Sequence, residues 1–586
     1  MTTDAIWRRR FRAGVVSFPS WARDRPERLV YSSNAGGKWE LYAWDRERDT
    51  HRQVTDRPEG TSHGGLDPTG GWIWWFDDEK GNEFGRWVVE PFEGGEAPRQ
   101  AAPSLPAAYP GGLALAPGVA VIGSSTDDGT RVYVIRGDGE PELLYEHREQ
   151  ASVAGLSRDG ELLALSHSEH GDSRNPAARV VDLSGRTLGE LWDGPERGVW
   201  PSGWSRRPGD RRLLVEHERG DLPRPMIWEP EADAATELPQ IDLAGEVGAS
   251  WFPDGSALLL RHDHRGRAEL FRLDLPDGPP ERVELERGTV QGAVVRPNGE
   301  IWYSWSSGST PSEVRGAAGV LLRAPGERPP GGAPYSDIEV DRIHSFLVEP
   351  EGPRPHPLVM NVHGGPEYHE RDVFSPRVQA WVDHGFAVAL VNYRGSSGYG
   401  KAWRDTLRHD PGFPEVEDVT KVRDRLVADG IVDGDRVLLH GGSWGGYITL
   451  LGLGMRPDRW AAGVAAVPVA DYVAAFEDEM EPLKAFDRAL FGGSPEELPD
   501  LYRERSPITY VEQVKAPVMI LAGENDPRCP IRQIDNYIAR LRELGAEHEV
   551  YRYDAGHGSL VIEESIKQAE AMLAFAAKHL GTPPPM

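Results

Sequence analysis

The segment Gly441-Gly442-Ser443-Trp444-Gly445 has the residue types and spacing of a nucleophilic serine on a sharp turn. An apolar run, Val437-Leu438-Leu439, precedes it, and residues 447–453 read as a helix. G-x-S-x-G between a strand and a helix is the form of a nucleophile elbow. The flanking glycines matter because a strained turn leaves no room for Cβ atoms two residues on either side. Such a turn lifts the Ser443 hydroxyl out of the sheet and sets it at a helix N-terminus. The chain has 67 Gly, so the pentapeptide alone carries little, and the strand–turn–helix setting carries the argument. The chemistry expected of Ser443 is attack on a carbonyl carbon.

A serine of this kind needs a base, and after an elbow the chain order is acid, then histidine. Val518-Met519-Ile520-Leu521 reads as a buried strand running into Gly523-Glu524-Asn525-Asp526-Pro527-Arg528. Further on, Glu549-Val550-Tyr551-Arg552-Tyr553 alternates into Asp554-Ala555-Gly556-His557. Ser443, Asp526 and His557 thus fall on three strand-end loops of one sheet edge, where α/β proteins gather their chemistry. His557 would take the serine proton and return it to the leaving group, while Asp526 would hold its tautomer and stabilise its cation. Glu524 and Asp554 are rival acids; Asp554, three residues before His557, is better placed to shape the turn. Among 18 His, His440 lies on the elbow strand itself and reads as an interior histidine. Acyl transfer also needs donors for the developing oxyanion. Leu358-Val359-Met360-Asn361-Val362 reads as a strand ending in His363-Gly364-Gly365-Pro366, whose glycines let a backbone N–H approach the substrate oxygen. The N–H of Trp444, the residue after the nucleophile, is the second expected donor.

Further motifs join these: Asn392-Tyr393-Arg394-Gly395-Ser396-Ser397-Gly398-Tyr399-Gly400, Gly446-Tyr447 after the elbow, and Ser506-Pro507-Ile508. Taken with His363-Gly364-Gly365-Pro366, Asp526-Pro527-Arg528 and Asp554-Ala555-Gly556-His557, they resemble the prolyl oligopeptidase family of serine peptidases. Within it they are most similar to the acylaminoacyl peptidase (acylpeptide hydrolase) branch. The resemblance covers roughly residues 340–580, with six motifs in order. It implies a peptidase with a β-propeller cap, a Ser443–Asp526–His557 triad, and an oxyanion hole from Gly365 and Trp444. It also implies that Arg528 grips a substrate carbonyl, and that Tyr472, Leu483 and Phe486 line a P1 pocket for apolar or aromatic residues. The bland alternative is that these three pack the core of their own helical insert, and that Arg528 forms a surface ion pair. One departure is Trp444, where these enzymes often carry Tyr; only its backbone donor is needed.

Composition sets bounds on the rest. A chain of 586 residues is too long for one core. The single Cys529 excludes an intrachain disulfide framework and suits a reducing compartment. Residues 1–14 contain Trp7-Arg8-Arg9-Arg10-Phe11-Arg12 without an apolar h-region, so no secretion signal is expected and the expected location is cytoplasmic. No apolar run reaches the ~18 residues of a membrane span. A net charge of −28 argues against nucleic acid and anionic membranes as partners. No metal-ligand or phosphate-loop spacing is present, so no cofactor is expected. Assembly into a homo-oligomer is left open.

The N-terminal half repeats one turn phrase after an apolar lead-in. It appears as Leu66-Asp67-Pro68-Thr69-Gly70, Leu115-Ala116-Pro117-Gly118, Leu156-Ser157-Arg158-Asp159-Gly160, Trp204-Ser205-Arg206-Arg207-Pro208-Gly209, Trp251-Phe252-Pro253-Asp254-Gly255 and Val295-Arg296-Pro297-Asn298-Gly299. From Pro68 to Pro297 the steps are 49, 41, 50, 45 and 44 residues. Periods near 40–50 with a strand on each side of the turn suggest propeller blades. With an opening blade at Leu29-Val30-Tyr31-Ser32 the count is about seven; a pair of β-sandwiches is the competing architecture.

The expected organisation is therefore an N-terminal segment 1–22, a β-propeller 23–322, a Pro/Gly linker 323–334 and an α/β-hydrolase domain 335–586. By resemblance, segment 1–22 would pack back on the hydrolase part. The expected function is a serine peptidase acting on short peptides and releasing N-acylated or apolar N-terminal residues. The alternatives are a carboxylesterase or an unblocked aminopeptidase or oligopeptidase on the same scaffold. The propeller is either a size filter over Ser443 or an interaction module.

Overall fold

The computed structural model describes residues 5–582; the first four residues of the expected N-terminal segment and the last four of the expected hydrolase part lie outside them. The repeated phrase proves to be the turn between the first and second strands of a four-stranded sheet. In the second blade it joins strand Gly64–Leu66 to strand Trp72–Asp78. The Asp67 carboxylate accepts the Trp72 N–H at 2.7 Å and the Thr69 N–H at 3.1 Å, which closes the turn. The phrase glycines 70, 118, 160, 209, 255 and 299 all adopt φ between 70° and 85°, a left-handed backbone that favours glycine.

Seven such sheets follow one another from Ser20 to Leu322, each built from four strands consecutive in sequence. This is a seven-bladed β-propeller, as expected. Among the described residues no blade borrows a strand from the other end of the ring, so the ring closes by packing. Leu29, Tyr31 and Trp44 of the first blade meet Trp302, Val314 and Leu322 of the last. Elsewhere adjoining blades share small apolar clusters, such as Leu162, Ala164 and Val180 against Trp204, Leu213 and Trp228.

No helix or strand forms between Leu322 and Ser336. Beyond it an eight-stranded sheet runs in the order Ser336–Val340, Ile343–Val348, Ala387–Val391, His356–Val362, Val432–Gly442, Ala462–Ala466, Val518–Gly523, His548–Tyr553. The last six are parallel, and the first two join antiparallel. The strands are apolar on both faces because helices cover both. Leu438, Val359 and Val388 face one layer, with helices Pro376–Asp383 and Ile562–Leu580; Leu439, Leu358 and Ala389 face the other, with helices Phe413–Ala428 and Trp444–Met455. The result is an α/β-hydrolase domain. The short helix Ile6–Arg12 buries Trp7 and Phe11 in the first of these layers. Arg10 ties it to Asp383 and to the Gly331 carbonyl of the connecting segment. No helix among the described residues is long and apolar enough to cross a membrane.

Candidate active site

The elbow serine sits between strand Val432–Gly442 and helix Trp444–Met455, with φ 56° and ψ −123°. A side-chain-bearing residue held there is strained, and the surrounding structure must over-determine it. Two glycines allow this. A Cβ on Gly441 would lie 2.4 Å from the Gly445 carbonyl, and one on Gly445 would lie 2.0 Å from the Val362 oxygen. The Ser443 N–H is fixed by the Ala466 carbonyl at 2.9 Å. The helix starts at Trp444, earlier than the expected residue 447, because the turn feeds directly into it and Gly445 and Gly446 lie inside its first turn.

Asp526 and His557 come together at the ends of strands Val518–Gly523 and His548–Tyr553. His557 Nδ1 is 2.8 Å from Asp526 Oδ2. The other oxygen, Oδ1, accepts the backbone N–H groups of Arg528 and Cys529 at 2.8 and 3.0 Å. The carboxylate is thereby aimed at the imidazole and satisfied behind it. One rival is engaged elsewhere and the other faces solvent. Asp554 is bound by Lys80 Nζ at 2.7 Å and by Asn525 at 2.9 Å, and Glu524 is exposed. His440 is interior: its Nδ1 lies 3.0 Å from the Val464 oxygen, and burial pushes its pKa down to about 4.

Beside the Asp526–His557 pair lies Cys529, only 3% exposed. Its sulfur is within 4.8 Å of the Asp526 and His557 ligand atoms. No Ser443–His557 hydrogen bond forms among the described residues; bonds of this kind often tighten only with substrate in place. Asp526, Cys529 and His557 are close enough to hold a cation, but their chemistry opposes it. Asp526 is already committed, and burial together with the Asp526 charge drives Cys529 towards the neutral thiol, whereas ligation needs the thiolate.

The expected oxyanion donors border the serine. An added Cβ at Gly364 would sit 3.4 Å from Ser443 Cβ and 3.9 Å from the Trp444 nitrogen, so the His363–Pro366 segment lies against the elbow. Trp444 opens its helix, so its N–H has no intrahelical acceptor. Neither it nor the Gly365 N–H donates to a protein group among the described residues. The segment is braced from behind. His363 stacks on Tyr393 at 4.1 Å, and its Nε2 meets the Ser396 hydroxyl at 2.8 Å. The Trp444 indole donates to buried Glu415 at 3.2 Å, and burial pushes that carboxyl up to about 8.

Two features decide between alternatives that the sequence left open. First, Arg528 does not point into open space. The propeller residue Glu83 takes it as a fork, 2.7 Å from Nε and 3.0 Å from Nη2. Lys80 and Gly81 of the same propeller turn touch the histidine loop, where a Cβ on Gly556 would lie 1.8 Å from the Gly81 oxygen. Second, the three expected pocket residues separate. Tyr472 is 1% exposed and packs with Tyr447, Phe491 and Tyr502, whereas Leu483 and Phe486 stay half-buried on helix Glu481–Phe491. That helix is held near the Asp526 loop by Met480, whose N–H donates to the Pro527 oxygen at 2.9 Å.

Residues 372–583 match the Prolyl oligopeptidase family. The chain is similar to the acylamino-acid-releasing enzyme of Rattus norvegicus, 29% identical over 428 residues that cover 69% of this chain and 53% of the relative. It is also similar to the uncharacterized peptidase YuxL of Bacillus subtilis (strain 168), 26% identical over 326 residues covering 52% and 49%. The chain thus spans about half the length of these curated relatives. Among solved structures, puromycin hydrolase superposes with a TM-score of 0.84 at 21% identity, over 100% of this chain and 97% of that one. A likeness at that identity speaks to the fold.

The geometry separates the carboxylates functionally. Asp526→Asn is expected to fold normally and lose about four orders of magnitude in turnover, the scale of a wrong imidazole tautomer. Asp554→Asn is expected to stay within a few-fold of wild type. Steady-state kinetics with a chromogenic peptide, beside circular dichroism, checks both; the reverse ranking would move the acid role to Asp554.

Proposed function

We propose, from the match of residues 372–583 to the Prolyl oligopeptidase family, that the chain is a serine peptidase acting on short peptides. It releases N-acylated or apolar N-terminal residues through Ser443, His557 and Asp526. The observation that carries the proposal is the 2.8 Å contact between His557 Nδ1 and an Asp526 whose second oxygen is already satisfied. With Nδ1 so occupied, Nε2 is the nitrogen free to take the Ser443 proton.

The steps follow from these groups. Ser443 Oγ attacks the scissile carbonyl as His557 removes its proton, and the negative oxygen settles on the N–H groups of Trp444 and Gly365. His557 then protonates the departing amine, and water repeats the sequence on the acyl-enzyme. Two free backbone donors support the oxyanion assignment, since losing one such donor typically costs about 100- to 1000-fold in turnover. Leu483 and Phe486 contact the P1 side chain, and Tyr472 backs the pocket from beneath. The propeller acts as a size filter, a role supported by its backbone-to-backbone contact with the histidine loop. The lone, buried Cys529 fits a cytoplasmic location.

One observation favours a second reading. Glu83 brings a carboxylate from the propeller to the mouth of the site, where a free α-ammonium group could compete with Arg528 for it. That would make the enzyme an aminopeptidase on unblocked peptides.

The testing experiment compares N-acetyl-leucine, leucine and internally placed leucine p-nitroanilides, with casein as the large substrate. The acyl reading expects the acetylated substrate to be preferred, casein to be spared, and Ser443→Ala to be inactive on all. Preference for the free amine, abolished in Glu83→Gln, would instead establish the aminopeptidase. Efficient casein cleavage would reject the filter.

Arg528 serves binding more than chemistry in this scheme. Arg528→Ala is expected to cost about 1.5–3 kcal/mol in kcat/KM on an acyl-dipeptide, the scale of a charge-assisted hydrogen bond. On p-nitrophenyl acetate it should remain within a few-fold of wild type. Equal losses on both would show that Arg528 and Glu83 merely brace the Asp526 loop.

A further inference from the structure

A cavity of about 740 Å³ lies at the seam of the molecule, away from Ser443, and nothing in the peptidase scheme uses it. Its walls come from three places: the strap after helix Ile6–Arg12, the last propeller blade, and the helices on one face of the hydrolase sheet. The volume falls within the range of small-molecule sites. Phe18, Phe374, Val378, Trp381 and Ile562 make most of the lining apolar.

Charged groups interrupt that lining, and one of them has no partner among the described residues. Arg377, in the first turn of helix Pro376–Asp383, faces the cavity and makes no hydrogen bond or ion pair among the described residues. The other cations at the walls are engaged. Arg10 is bound to Asp383 and to the Gly331 oxygen, and Arg371 donates to the Tyr368 hydroxyl at 3.2 Å. The acid at the wall does not neutralise Arg377 either. Glu370 accepts from the Asn361 amide at 2.7 Å, and burial pushes its carboxyl up to about 7. Burial also disfavours the Arg377 cation, yet a guanidinium keeps its proton in proteins. An unpaired guanidinium at an apolar wall is a ready partner for a bound anion.

We propose that this seam cavity is a binding site for a carboxylate with an apolar body, the carboxylate held by the Arg377 fork and the body by Phe18, Phe374, Trp381 and Ile562. The planar guanidinium matches a carboxylate bidentately, and the helix N-terminus adds a favourable partial charge. The apolar walls exclude a bare inorganic anion as the best occupant. Ile562 and Ser565 belong to the first turns of the helix that follows the His557 loop, so an occupant contacts the segment supporting the base. The inference stands apart from the peptidase assignment, and its test reads binding rather than hydrolysis.

The probe is sodium octanoate, titrated calorimetrically into the full chain, with 1-octanol and sodium phosphate as controls. The expected result is one octanoate per chain, and much weaker binding of both controls. Arg377→Gln should weaken octanoate about ten- to a hundredfold, the range of a lost charge-assisted hydrogen bond. Ser312→Trp, which fills the cavity from the propeller side, should abolish binding even if the Arg377 variant fails to fold. Absence of octanoate binding at millimolar concentration, equal binding of 1-octanol, tighter binding of phosphate, or unchanged octanoate affinity in Arg377→Gln or Ser312→Trp would each overturn the proposal.

Discussion

The strained backbone of Ser443 is the constraint from which the site is built. A serine at φ 56° and ψ −123° is held only because strand and helix close around it without Cβ atoms at 441 and 445. Those contacts reach the Val362 oxygen, at the end of the strand that continues into His363-Gly364-Gly365-Pro366. The same close approach that permits the strain therefore brings the glycine segment against the nucleophile. The strain at Ser443 and the seating of the glycine segment against it are consequences of one packing arrangement. The pairing of Tyr393 and Glu415 with the far sides of His363 and Trp444 keeps that arrangement rigid.

Around this centre the Asp526 and His557 loops are touched by both folds. The acid and histidine loops belong to the hydrolase sheet, yet each is touched by the propeller turn of Lys80, Gly81 and Glu83. The outer salt bridges are exposed, and each on its own contributes little stability. Their effect is geometric, because they close one side of the site over both loops at once. Both contacts come from one propeller turn, so parting the folds there would release Arg528 and Asp554 together.

The turn at Ser443 and the loops that carry Asp526 and His557 were legible because each is encoded locally, as a strand end followed by a loop with a fixed residue pattern. The blades were legible for a similar reason: Asp and Gly at set positions close each turn, as Asp67 and Gly70 do. What the sequence could not supply were pairs formed across long separations. Arg528 and Glu83 are 445 positions apart, and Lys80 and Asp554 are 474 apart, with no local pattern marking either. Tyr472 illustrates another limit. An aromatic residue in a helical insert fits a pocket and a core equally well in sequence, and only its 1% exposure reveals a ring packed beneath the surface. Arg377 was likewise invisible, because a lone arginine near a helix start reads as a surface residue until its neighbours are known.

The central claim, that Ser443 is a nucleophile activated by His557, is tested most directly by covalent labelling. Wild-type protein and His557→Ala would be treated with diisopropyl fluorophosphate and followed by intact-mass and peptide-mapping mass spectrometry. The account requires one stoichiometric adduct, carried by Ser443, in wild type and at most very slow labelling in the variant. An adduct on another residue, or equally fast labelling without His557, would contradict it.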